Sequence, residues 1–385
     1  MRNLTAAFLN AFSCLPVAFA LASLLELAGV KFDAAYTGTL LSAAIGTFLF
    51  AKFSNSPIIV FPNYTLVASF IYMEVMCGGA PILEVFAASI IAALIGVLLM
   101  IFKLDDKINS ILKKFFSENL MSAFLFGISL FLILQGLTVG KIVVSSPFNF
   151  AMTGDMDNPV VVYSLFGIII SFLLYAKYKK FAIILPVILI IFFSYLEGYI
   201  ATDKIFLPPP FEFEPSTLNF SFDLCRVSLE IFLLTTVISS FYQRLLNKTL
   251  DKEGIKLTPI FSVNIISPFL SVFMLTPSLL STIGMSCGAT DKKVSYITAL
   301  FFIIFIFFEP LAKSLTDFTA IYAPALVIAG IFTLSKIRML FSGNLGENIA
   351  GVAFILLFPI TCDIATALMC SIVLLIIVNL AYKED

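Results

Sequence analysis

The chain has 385 residues, 60% of them hydrophobic and only 12% charged, about half the charged share of a water-soluble domain. A mean hydropathy of +1.07 excludes a soluble enzyme, and a net charge of −1 provides no basic field to hold nucleic acid. One membrane-spanning helix takes about 20 apolar residues, so ~12 to 14 helices would use roughly 240 to 280 residues and leave about a hundred for loops. The composition therefore predicts an all-α polytopic protein whose main surroundings are the lipid bilayer. There is no histidine, which removes His-based proton relays, haem ligation and His metal sites. Cys14, Cys77, Cys225, Cys287, Cys362 and Cys370 follow neither zinc spacing nor a disulfide framework and read as small apolar packing residues. Nothing in the sequence asks for a cofactor.

Splitting the chain at charge clusters and at Gly, Pro and Asn turns predicts fourteen segments. Seven cover about 5–30, 36–52, 57–76, 82–102, 118–139, 159–176 and 181–200. Seven more cover about 221–243, 258–275, 277–290, 294–312, 319–335, 347–361 and 363–382. Ala18-Phe19-Ala20 looks superficially like a signal-peptide cleavage site, but the apolar run continues through Leu21–Val30, so the first span is expected to stay. The polar connection from Asp203 to Asn219, with Pro208-Pro209-Pro210, is the natural seam between halves. With the N-terminus in the cytoplasm and sides alternating, Lys31, Lys141, Lys204, Arg226 and Lys313 fall outside, and the other 18 of the 23 Lys and Arg fall inside. That partition satisfies the positive-inside rule and predicts fourteen spans with both termini cytoplasmic, in the plasma membrane.

Two segments, the third of each half, depart from plain spanning helices. Ile58-Ile59-Val60-Phe61 is β-branched and aromatic, and Pro62-Asn63-Tyr64-Thr65 then opens a short helix. Val272-Phe273-Met274-Leu275 likewise precedes Thr276-Pro277-Ser278, with small and polar residues running on to Thr290. Each reads as an extended stretch, a proline at a helix start, and a half-helix, over Asn63–Tyr72 and Ser278–Thr290. Non-helical backbone at membrane depth survives only where it is buried in protein or lines a cavity. Seven segments per half invert the second half, and broken helices in matching positions of inverted repeats point to a transporter's substrate site. Two ordinary proline-kinked helices are the plainer alternative.

The chain then resembles a known family. Ile321-Tyr322-Ala323-Pro324-Ala325-Leu326-Val327-Ile328-Ala329-Gly330 is similar to the "AxAPALxxxG" stretch of nucleobase–cation symporters of the xanthine/uracil permease type, most closely the adenine/guanine/hypoxanthine permease branch. Leu357-Phe358-Pro359-Ile360-Thr361 looks like that branch's "MPLT" segment. Gly127-Ile128-Ser129-Leu130-Phe131 and Pro62 to Phe70 sit where the family has "GIGLF" and "PGMGLNAFF". The resemblance implies a seven-plus-seven inverted repeat divided into core and gate. The core would take residues 1–112 (segments 1–4) and 203–312 (segments 8–11). The gate would take 113–202 (segments 5–7) and 313–385 (segments 12–14). It also implies a secondary active permease for a purine or related nucleobase, coupled to protons or sodium, and a homodimer is compatible with it. The family's acids on the eighth and tenth segments are missing. Thr235 or Ser239 stands near the first, Pro277-Ser278-Leu279-Leu280-Ser281-Thr282 covers the second, and Val67 stands where the third-segment asparagine is expected.

Several residues could carry a site. Glu230 lies about ten residues into its span, near half depth at ~1.5 Å per residue, and could bind a substrate N–H or carry a proton. It could equally pair with Arg226, one turn earlier. Asn63, Tyr64, Thr65 and Ser69, with Ser278, Ser281 and Thr282, offer hydroxyls, amides and half-helix N–H groups for a planar heterocycle or an anion, or else cap and pack. Asn10, with Ser13 and Cys14, could complete the pocket from the first helix. Glu74 and Glu309 read as interfacial, and Asp363 as a helix cap or a gate residue. The rivals are an anion transporter of the sulfate-permease type, whose "SGAxT" turn Cys287-Gly288-Ala289-Thr290 weakly resembles, and a transport-dead membrane scaffold. Phosphate loops and paired catalytic carboxylates are absent, so no enzyme activity is readable.

The charge partition makes one direct prediction. A cysteine introduced by Lys248→Cys should resist a membrane-impermeant thiol reagent applied to intact cells, and one introduced by Lys141→Cys should react. Efficient outside labelling at position 248 would overturn the topology.

Overall fold

Apolar runs between lysine clusters and Gly/Pro turns fold as helices because a helix satisfies its own backbone hydrogen bonds where no water can. The computed structural model describes residues 2–102, 104–147, 151–201, 204–208, 222–252, 254, 256–288, 290–335, 337 and 340–381. Most of the seam at 203–219, together with Lys103, Ala289, Lys336, Arg338 and Lys383, lies outside the described residues.

The first half runs α1 (Arg2–Leu27), α2 (Phe32–Ser54), β1 (Val60–Pro62), α3 (Tyr64–Phe70), α4 (Ile82–Ile101), α5 (Asp105–Phe115) and α6 (Glu118–Val139). A short hairpin of β2 (Val143–Val144) and β3 (Met152–Thr153) follows, then α7 (Pro159–Lys177) and α8 (Ile184–Leu196). The second half runs α9 (Phe222–Leu250), α10 (Thr258–Ile266), β4 (Leu275–Pro277), α11 (Ser281–Ser286), α12 (Lys292–Ile306), α13 (Glu309–Thr316), α14 (Ala323–Leu334), α15 (Leu345–Thr361) and α16 (Ile364–Ala381). Side-chain caps mark several starts. Ser117 accepts from Leu120 N, Asn158 precedes Pro159 at the first position of α7, and Asp363 accepts from Ala365 and Thr366 N. Asp363 is thus a helix cap.

Each of the fourteen predicted segments contains a helix. Among the described residues, eight helices are long and apolar enough to cross a membrane singly, and α12 with α13 makes a ninth. Four shorter apolar helices occupy Tyr64–Cys77, Thr258–Leu270, Thr319–Leu334 and Leu345–Thr361. The structure differs from the sequence reading in several places. Segment 294–312 is not one helix: α12 and α13 meet at 77°, at a break where Pro310 has no N–H to continue the ladder. The first half-helix runs past Tyr72, because α3 widens into a π-helical turn over Ile71–Cys77. The second is shorter than Ser278–Thr290, since Pro277 closes strand β4 and the regular helix spans only Ser281–Ser286. The helix α5 and the β2–β3 hairpin were not anticipated.

At the centre, β1 and β4 pair antiparallel, with Val60 opposite Pro277, Phe61 opposite Thr276 and Pro62 opposite Leu275. The ladder continues at both ends, through Ser278 N to Ile59 O at 2.8 Å and Asn63 N to Met274 O at 3.1 Å. The outward edge of each strand is closed by one side chain. Thr47 of α2 bonds both Val60 N and Val60 O at 3.1 Å. Asn264 of α10 accepts from Leu275 N at 2.7 Å and donates to Leu275 O at 3.0 Å. These two residues occupy matching segments of the two halves, as an inverted repeat requires.

Two helix sets pack around this centre. In one, α2 lies along α12, α1 and α10, and α4 along α9 and α10. In the other, α6 lies along α14 and α15, α15 along α16, and α7 along α14 and α8. Aromatic pairs lock the second set, with Phe131 stacked on Phe358 at 4.7 Å and Phe124 edge-on to Phe354 at 4.6 Å. Outward faces such as Leu173, Leu196 and Met369 are apolar and exposed, as a lipid-facing surface should be.

Gly38 lets α2 approach the turn before β4: a Cβ there would lie 1.6 Å from the backbone oxygen of Leu270. At Gly46 a Cβ would sit 3.0 Å from the Val60 side chain, which can give way. Gly38→Ala should therefore lower stability in thermal unfolding by about 1–3 kcal/mol or more, and Gly46→Ala by less. Equal effects would contradict this packing.

Candidate functional site

The pairing runs one residue past each proline, to Asn63 and Ser278. The chain turns there, and Asn63 caps α3: its Oδ1 accepts from Thr65 N at 3.1 Å and Leu66 N at 3.4 Å, and its Nδ2 donates to Thr276 Oγ1 at 3.1 Å. A cavity of about 70 Å³ opens at this crossing. From the strand side it is lined by Phe61, Asn63, Tyr64, Thr65, Thr276 and Ser278. Tyr242 enters from α9, and Leu132, Ala329 and Thr333 face it from α6 and α14. Tyr242 shares this lining with Asn63 and Thr333. Tyr64 reaches Tyr72, whose hydroxyl donates to Gln135 Oε1 at 2.9 Å. Among the described residues, no carboxylate, lysine or arginine lines the cavity.

Of the predicted site residues, the structure brings Asn63, Tyr64, Thr65 and Ser278 together at this cavity. The others serve elsewhere. Ser281, fully buried, accepts from Ile59 N at 2.8 Å and donates to Ser278 O at 2.6 Å, tying α11 to β1. Asn10 accepts from Gly284 N at 2.7 Å and holds α11 against α1. Ser69 accepts from Ile364 N at 3.1 Å, joining α3 to α16. Thr282 lines a different cavity. Thr235 faces a narrow space shared with Ser89 and Asn264, towards α4 and α10, and Ser239 is buried outside the central lining.

Glu230 needs a firmer correction. Its carboxylate lies 3.0 Å from Arg226, which also binds Glu74 at 2.8 Å and lies 3.9 Å from Asp223. Glu230 does not face the central cavity; the pairing one turn away is the geometry the chain adopts.

Tyr242 and Thr333 escaped the sequence reading. Tyr242 stands one turn beyond Ser239 on α9, so the register was near, but a hydroxyl was sought where a phenol is long enough to reach. Thr333 lies one turn past Ala329, the lining residue inside the "AxAPALxxxG"-like run. The free N–H groups expected at the second half-helix are also taken: Ser281, Thr282 and Ile283 N bond to Ser278, Leu279 and Leu280 O, and Leu280 N bonds to Ser278 Oγ. With the α3 cap filled by Asn63, the opposed helix ends keep few donors for an anion. What remains is a mostly apolar, aromatic slot with neutral hydroxyl groups.

No protein-family model matches the chain. It is 24% identical over 360 residues to the guanine/hypoxanthine permease PbuO of Bacillus subtilis, covering 89% of this chain and 82% of that protein. It is 23% identical over 380 residues to the adenine permease AdeP of Escherichia coli, covering 93% and 82%. In fold it is similar to the transmembrane domain of the cyanobacterial bicarbonate transporter BicA, with a TM-score of 0.62 and 15% identity over 98% of this chain and 97% of that one. It is also similar to murine Slc26a9, an anion transporter in the inward-facing state, with a TM-score of 0.69 and 13% identity over 99% and 68%. Along most of its length the chain is similar in sequence to nucleobase permeases, and it carries that similarity on an inverted-repeat membrane fold.

Proposed function

We propose that the chain is a secondary active transporter in the plasma membrane that carries a purine or related nucleobase through the cavity between β1–α3 and β4–α11. The observation that carries this reading is the lining: hydroxyls and two phenols on aromatic and aliphatic walls, with no formal charge among the described residues. Such a site matches a flat neutral heterocycle, and the named relatives act on guanine, hypoxanthine and adenine. The lining also comes from both helix sets. Phe61, Asn63, Tyr242 and Ser278 belong to the proposed core (1–112 and 203–312), while Leu132, Ala329 and Thr333 belong to the proposed gate (113–202 and 313–385). Movement of one set against the other therefore opens and closes the site. At about 70 Å³ the cavity is smaller than one of roughly 150 Å³ that holds benzene, so a base enters only when the sets separate.

The lysine-rich helix ends gather on one face: Lys248 of α9 binds Glu118 of α6 at 3.2 Å, and Lys252 donates to Asn55 O at 2.7 Å beyond α2. We assign this face to the cytoplasm by the positive-inside rule. The anion reading draws on the folds of BicA and Slc26a9. The absence of charge in the lining and the occupied helix-end N–H groups favour the base.

Thermal unfolding of the purified chain separates the two. Guanine or hypoxanthine at 100 times its dissociation constant should add about 2.7 kcal/mol of stability, whereas bicarbonate, chloride and sulfate should add none. Stabilisation by an anion and by no purine would transfer the function to the anion class.

Because Glu230 is paired with Arg226 and partly exposed, Glu230→Gln should cost about 1 kcal/mol of stability or less. It should leave the pH profile of purine uptake unchanged. A flattened profile would return proton coupling to Glu230.

A further inference from the structure

A second cavity, of about 220 Å³, lies on the lysine-rich face, at the other end of α11 from the central one. Ser278 and Leu280 line the central cavity, and Thr282 and Ser286 line this one, so a single short segment borders both. It is larger than the roughly 150 Å³ that holds benzene, which the central cavity is not.

Its polar groups are sorted in an uncommon way. Thr249, Thr282, Ser286 and Ser335 each donate their hydroxyl proton to a carbonyl of their own chain segment, at 3.1, 2.8, 2.6 and 2.8 Å. A hydroxyl whose proton is spent still offers lone pairs, so these four oxygens act towards the cavity as acceptors. Donors come from the opposite wall. The Tyr175 hydroxyl is buried without a hydrogen-bond partner, and the Lys179 ammonium sits 5.2 Å from the Tyr175 ring centroid. Phe332, edge-on to Tyr175 at 5.2 Å, supplies an apolar wall for a flat ring. Among the described residues, no carboxylate lines the space.

Four acceptors, with the Thr290 hydroxyl able to act either way, face two donors across an aromatic wall and suit a planar molecule with both N–H and C=O edges. An anion would meet mostly lone pairs. We propose that this cavity is a second binding station for the transported nucleobase, occupied after the base leaves the central cavity along α11 on the lysine-rich side. The proposal rests on the nucleobase reading above. Tyr175 and Lys179 donate to the ring carbonyl in this station, and the hydroxyls of α9, α11 and α14 accept from its N–H groups.

Photolabelling tests it on the purified full-length chain. 8-Azidoguanine is irradiated with wild type and with a Tyr175→Phe/Lys179→Met double variant, and labelled peptides are mapped by mass spectrometry. Wild type should carry label both near Tyr64 and Tyr242 and near Tyr175, Met285 and Phe332. The double variant should lose more than tenfold at the second set alone and keep the first. Excess unlabelled hypoxanthine should remove both, and inorganic phosphate neither. Label confined to the central set, or displaced from the second set by phosphate, overturns the second station while leaving the transport reading intact. Label at neither set overturns both.

Discussion

Everything at the centre of this molecule follows from one requirement: two extended strands at membrane depth must find partners for their backbone groups. An unpaired N–H or C=O in a dry interior costs several kcal/mol. A two-stranded ribbon pairs its inner edges and leaves the outer ones bare. Thr47 and Asn264 close those outer edges, each bonding both the N–H and the C=O of a single strand residue. With both edges satisfied, the ribbon can end abruptly at Pro62 and Pro277, and the space beyond those ends is free of backbone demands. That is why a cavity can exist there.

The same economy explains the character of the site. Most polar side chains that the strands and half-helices bring to the centre are consumed by the fold. Asn63 caps α3 and bridges to Thr276, Ser281 bonds β1, and Asn10 holds Gly284. What remains towards the cavity is a set of neutral groups, Tyr64, Thr65, Ser278, Tyr242 and Thr333, on an apolar background. A site built from such leftovers discriminates by shape, stacking and a few hydrogen bonds, and charge contributes little. The overall fold is similar to those of BicA and Slc26a9. In this chain the choice of cargo rests with the side chains.

Much of the fold was legible in the sequence because its signals are local. Apolar runs of spanning length, lysine clusters at their ends and the Ile58–Pro62 and Val272–Pro277 stretches each report on their own surroundings. The pairing of β1 with β4 joins residues more than two hundred positions apart, and nothing in either stretch names its partner. The bend between α12 and α13 was hidden because Glu309-Pro310 sits inside an otherwise continuous apolar run. On α9, Tyr242 lines the central cavity, while Thr235 and Ser239, at the expected position, lie outside its lining. Glu230 stood out as a lone charge at depth; Arg226, which pairs with it, also binds Glu74 on a different element, which sequence spacing only half reveals.

The central claim is that the two half-helices form one unit because their strands are cross-tied, with Asn63 and Thr276 as the side-chain link. A double-mutant cycle of Asn63→Ala and Thr276→Val, read by thermal unfolding of the purified chain, measures that link. The account predicts an interaction energy of about 0.5–3 kcal/mol between the two sites. Strictly additive losses would mean that the half-helices are held independently, and would contradict it.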